Sequence, residues 1–191
     1  MRTLFVSCFI ACLPGLSFAQ DWTLSSDASS VGFVSIKNGD TAESHMFSGL
    51  TGAVSDAGAV EVSIPLANVE TFIDIRNERM RDILFKVADF PAATVSTEIV
   101  LDDFADLAVG TRRATDVEIT VAANDSDASY DAALYVTRIS DTAVAVSTAR
   151  PVIADIRDFN YDDGIEQLRE IAGLDAISPA VPVTFDLVFE Q

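Results

Sequence analysis

His45 is the only histidine among 191 residues, so any acid–base or nucleophilic chemistry built on imidazole would have to centre on it. No Ser and Asp pair stands beside it with the spacing of a triad, and the Gly-x-Ser-x-Gly nucleophile elbow does not occur. His45 therefore reads as a surface or strand-edge residue. Metal chemistry fares no better. Asp158-Phe159-Asn160-Tyr161-Asp162 opens like a calcium loop, but Asp163 stands where the sharp turn needs Gly and Arg169 where a bidentate Glu belongs. The two cysteines, Cys8 and Cys12, lie in an N-terminal apolar stretch, leaving zinc, copper and haem without their usual ligands. The 30 acidic residues could supply a pair of glycosidase carboxylates, yet nothing marks any two of them. The expectation is a protein that is not an enzyme and carries no metal or cofactor.

The elements that must position whatever chemistry remains are mostly strands. Val60, Val62 and Ile64 alternate with polar residues, as do Val117, Ile119 and Val121, then Val144 and Val146, and finally Val183, Phe185, Leu187 and Phe189. Such period-2 runs, rich in β-branched and aromatic residues and bounded by Gly, Asn, Asp or Ser, mark half-buried strands. Adding Val31–Ile36, Met46–Val54, Val95–Leu101 and Tyr130–Ile139 gives eight, which points to an antiparallel sandwich or barrel. Asn124-Asp125-Ser126-Asp127 and Ser140-Asp141 read as turns.

Two short helices interrupt the pattern. Met80, Ile83, Leu84 and Val87 form one apolar stripe at helical spacing, with Asp74 as N-cap and Phe90-Pro91 as the exit. One turn back, the stripe lands on Arg76 and Asn77, which must then meet a carbonyl, a carboxylate or a ligand's polar end. The second helix spans Ile165 to Ala172, with Asp163-Gly164-Ile165-Glu166 at capping-box spacing and Gly173 as its stop.

Residues 1–19 read as a cleaved signal peptide: Arg2, an apolar stretch, then Ser17-Phe18-Ala19 as the processing site. That leaves residues 20–191 as one domain in the periplasm or secreted, with no cysteine and no span apolar enough for a membrane. The chain's formal charge of −18 disfavours nucleic acid and anionic lipid headgroups. It suits a charged exterior over an apolar interior that holds something greasy in water.

Val69-Glu70-Thr71, Arg76-Asn77-Glu78-Arg79-Met80-Arg81, Phe85, and Phe90-Pro91-Ala92-Ala93-Thr94-Val95 follow one another in an order that resembles the YceI-like family of lipid- or polyisoprenoid-binding exported proteins. Ile156-Arg157-Asp158-Phe159 and the closing Val181–Phe189 strand are similar to later elements of that family. Asn77 stands where Asp is usual, and Asn160 where Gly is common. The resemblance implies an all-β, eight-stranded, antiparallel lipocalin-like barrel with one or two short helices. It further implies non-catalytic binding of a long apolar ligand: a polyisoprenoid, an isoprenoid quinone or a fatty-acid derivative. The expected lining is Phe33, Phe47, Leu50, Phe72, Met80, Leu84, Phe85, Phe90 and Phe159, with Arg76 orienting the helix or meeting a headgroup. The rival reading is a filled barrel that docks a protein, such as a membrane redox or stress-response component.

Overall fold

The alternating runs pair into one antiparallel sheet that closes on itself. The structure, a computed structural model, describes residues 21–191, so the signal-peptide reading of residues 1–19 lies outside it. Its strands are β1 (Trp22–Leu24), β2 (Ser30–Lys37), β3 (Thr41–Phe47), β4 (Thr51–Val54), β5 (Ala59–Pro65), β6 (Val69–Glu70) and β7 (Ala92–Glu98), followed by β8 (Arg112–Ala123), β9 (Ser126–Ser140), β10 (Ala143–Thr148), β11 (Val152–Asp155) and β12 (Ala180–Glu190). Round the barrel the order is β1-β4-β5-β7-β8-β9-β10-β12, and Thr23↔Glu190 with Leu24↔Phe189 returns β12 to β1.

The short strands continue the long ones past corners. On one edge of β12, β1 pairs with residues 189–190 and β2 takes over at Val183–Asp186. On the other edge, β10 pairs with residues 186–190 and β11 with residues 180–183. The stretch Met46–Val54, expected as one strand, is split between β3 and β4. Gly49 makes that corner with φ +71, and a Cβ there would lie 2.4 Å from Asn68 Nδ2. The β8–β9 hairpin turns on Asn124 and Asp125, both at positive φ, as a two-residue type I′ turn demands.

The expected helix after Thr71 is present but winds differently. Helix α1 (Asp74–Arg79) passes at Met80 into a π-helical turn, Met80–Phe85, that ends at Lys86 in the left-handed region. Ile73, not Asp74, occupies the cap position. The wider π turn sets the buried side chains at Met80, Leu84 and Phe85, while Ile83 and Val87 are half-buried. Helix α2 (Asp162–Ala172) starts earlier than its periodicity suggested; Tyr161 caps it and no side chain bonds its first N–H groups, so the capping box does not form. Gly164 lets α2 lie directly on the π turn, since a Cβ there would sit 3.0 Å from Ile83 O and 3.1 Å from Leu84 Cα.

Candidate ligand-binding cavity

Because β-strand side chains alternate, the apolar half of every run turns into the barrel, and the space they enclose is not filled. Two adjoining lobes of about 260 Å³ each lie inside. Val62, Val95, Ile119, Phe185 and Leu187 line both and form the waist between them. One lobe lies beneath the π turn and the start of α2 (the helix lobe). The other runs toward the β9–β10 hairpin and the 3₁₀ turn Leu101–Phe104 (the hairpin lobe). Together they reach the ~300–1,000 Å³ range of small-molecule sites.

Six of the expected lining residues meet in the helix lobe: Phe33, Phe47, Met80, Leu84, Phe85 and Phe159. The four phenylalanine rings belong to a continuous arc. His45, Phe33, Phe47, Phe85, Tyr161, Phe159 and Tyr130 follow one another with centroid distances of 5.0–6.3 Å, spacings typical of favourable aromatic contacts. The other four positions lie elsewhere. Leu50, next to the Gly49 corner, is completely buried in the packed core and lines neither lobe. Phe72 is 73% exposed at φ +62, because the turn leading into α1 directs it outward. Phe90 is half-buried where the chain leaves the π turn, outside both linings.

Arg76, the fourth, is part of a tie between helix and sheet. Its guanidinium donates to Glu43 Oε2 at 2.5 Å and to the Thr71 carbonyl at 2.6 Å, and Lys37 Nζ reaches the same Glu43 oxygen at 2.8 Å. Hydrogen bonding from Lys37, followed by that from Arg76, holds the Glu43 carboxyl below its usual range. Asn77 completes the tie. Its Oδ1 accepts from Thr71 N (2.8 Å) and Thr71 Oγ1 (2.6 Å), while its Nδ2 donates to Glu70 Oε1 (2.9 Å). A neutral amide serves both roles, which an aspartate could not.

The surface-histidine expectation is overturned. His45 is 3% exposed, because the β3 register places it inside, opposite Phe33 on β2. Its Nε2 lies 2.8 Å from Ser35 Oγ. Burial, then the nearby Arg76 charge, pushes its imidazole below the ordinary value. Two tyrosines also border the helix lobe. Burial pushes both phenols up to about 12, helped at Tyr130 by a 2.7 Å bond to Asp158 Oδ2. Neither puts a charge beside the cavity near neutral pH.

The sequence reading missed the hairpin lobe. Trp22, Phe104, Leu107, Val136 and Arg138 help to line it, and Arg138 is the sole charged residue among the linings of both lobes. Alternation along β9 was the available signal, since Arg138 shares its face with Leu134 and Val136. Among the described residues no group of three or more His, Cys, Asp or Glu is placed to hold a metal ion, and no helix is long and apolar enough to cross a membrane.

A family model, the YceI-like domain, matches residues 22–189. The chain belongs to the YceI-like domain family. This YceI-like chain superposes on a polyisoprenoid-binding domain from Saccharophagus degradans implicated in plant cell wall breakdown, with TM-score 0.86 and 39% identity over 89% of this chain and 98% of that one. BcnA from Burkholderia cenocepacia shares the fold at TM-score 0.65 and 14% identity, covering 86% of this chain and 98% of its own. No curated protein matches. Asn160 sits at φ +56, and Asn is one of the few residues besides Gly that readily adopt that conformation.

Proposed function

We propose that this YceI-like protein binds and sequesters one long apolar chain inside its barrel, without chemistry, in the periplasm or outside the cell. The observation that carries this reading is the pair of apolar lobes meeting at a shared waist. Their linings contain no Asp, Glu, Cys or His, so a bound molecule meets aliphatic and aromatic carbon almost everywhere. Each methylene taken from water contributes about 0.8 kcal/mol, so affinity would grow with chain length and need few polar contacts. The related Saccharophagus domain supports an isoprenoid, and a quinone or fatty-acid derivative would satisfy the same walls.

The rival reading required a filled barrel, and the lobes deprive it of that premise. The deciding experiment is organic extraction of the protein purified from an exporting host, followed by mass spectrometry. Recovery of near-stoichiometric isoprenoid or acyl chain is expected. Lipid-free protein that also takes up no added chain would sink the carrier reading.

A further inference from the structure

The two lobes differ in polarity. Four residues lining the helix lobe carry side-chain oxygen, and none carries charge. Ser35 is engaged with His45, Ser178 bonds the Ala180 backbone, and Tyr130 bonds Asp158. Tyr161 stays neutral until about pH 12. An ionic headgroup therefore has no counter-charge in that lobe, and burying it there would cost several kcal/mol. The hairpin lobe holds Arg138.

Arg138 is held in place by its surroundings. Its Nε donates to Ser140 O at 3.0 Å and its Nη2 to Asp141 O at 2.5 Å, so the turn's own carbonyls fix the plane of the guanidinium. The Trp22 ring lies 5.8 Å from the guanidinium carbon, within cation–π range. Among the described residues no Asp or Glu side chain pairs with it, whereas Arg76, Arg113, Arg157 and Arg169 each have one. Arg138 lines the lobe with Val136, two residues back on the same face of β9, and its guanidinium rests on the hairpin carbonyls of Ser140 and Asp141.

We infer that the cavity orients its ligand, and that the ligand class is a single-chain anionic amphiphile, a carboxylate or a phosphate on an apolar tail. The head binds Arg138 beside Trp22, and the tail runs past Val95 and Ile119 toward the helix lobe. This rests on the carrier reading. The overall charge of −18 opposes anions, so in this molecule the preference for one depends on Arg138.

The test titrates delipidated protein with dodecanoate, dodecyl phosphate and dodecanol, followed by calorimetry and by emission from Trp22, the chain's single tryptophan. Wild type should bind the two anions at least about tenfold more tightly than the alcohol, the scale of one charge-assisted hydrogen bond. Arg138→Gln should collapse the ratio of anion to alcohol affinity to about one, while Arg138→Lys should keep part of the preference. The ratio between the two anions tells a fatty-acid head from a phosphorylated one. Equal affinity for all three probes, or anion binding unaffected by Arg138→Gln, overturns the headgroup assignment alone. Failure of every probe, dodecanol included, overturns the carrier reading with it.

Discussion

Asn77 shows how much a single amide can organise. It satisfies the backbone N–H and the hydroxyl of Thr71, itself only 1% exposed, and returns a donor to Glu70. Asn77→Ala leaves a buried N–H without its acceptor, which costs about 1–3 kcal/mol, and equilibrium urea unfolding should show that loss. Glu70 responds in the same direction. The Asn77 bond, then the Phe72 N–H, holds its carboxyl below the ordinary value, so its contribution is present at neutral pH and lost in acid. His45 acts at higher pH. Its native imidazole titrates below the unfolded value of 6.5, so on acidification the unfolded chain takes up a proton first. Stability is therefore full above that pH and declines below it. The urea midpoint of the wild type should drop between about pH 7.5 and about pH 5.5, where carboxylates stay ionised, and His45→Phe should flatten that slope. The sequence indicated that Arg76 and Asn77 would need partners, because they continue an apolar stripe. It could not reveal that His45 is inside, since Glu43, Ser44 and His45 show no alternation until paired with β2.

At the scale of elements, the long strands were legible because their inner faces are β-branched or aromatic at every second position. β1, β6 and β11 were not, since two to four residues hold too few alternations to register. The helix after Thr71 was legible as a helix, but a 3.6-residue period cannot anticipate a π turn. That turn exchanges Ile83 and Val87 for Phe85 on the buried side and thereby brings a ring to the cavity. Nothing in the pattern announced that Gly164 is a contact point between helices. In an exposed helix, Ala in place of Gly stabilises by about 1 kcal/mol. Here the added methyl would press on the backbone of Ile83 and Leu84, so Gly164→Ala should instead destabilise by about 1–3 kcal/mol. A thermal midpoint lowered by about 2–4 °C per kcal/mol would register it. Since Leu84 lines the helix lobe, the same substitution should also weaken ligand uptake.

For the molecule as a whole, the unfilled interior changes what a core substitution does. Adding bulk to a well-packed core costs about 1–3 kcal/mol. Val95→Phe adds it at the waist, where the side chain opens onto both lobes, and should cost less than about 1 kcal/mol. The variant should keep a near-normal melting temperature, lose the lipid recovered by extraction, and no longer be stabilised by added chain. Wild type at a hundredfold excess of ligand over its Kd should gain about 2.7 kcal/mol. A variant that melts normally and still carries lipid would contradict the waist as the passage between lobes.

The closure of the barrel by Thr23↔Glu190 and Leu24↔Phe189 has a consequence in time. These pairs join the first described strand to the last, so the ring is completed by the contacts of greatest sequence separation. A chain synthesised or threaded through a membrane from its N-terminus holds β1 waiting until residue 190 emerges. Local hairpins such as β8–β9 can form meanwhile, but the seam comes last, and contacts of such long separation form slowly. Until then the hydrophobic interior has an open side, and the final ten or so residues act as the latch. A ribosome stalled just short of β12 would display an open sheet, which brief proteolysis of the stalled chain would detect as cleavage beside β1.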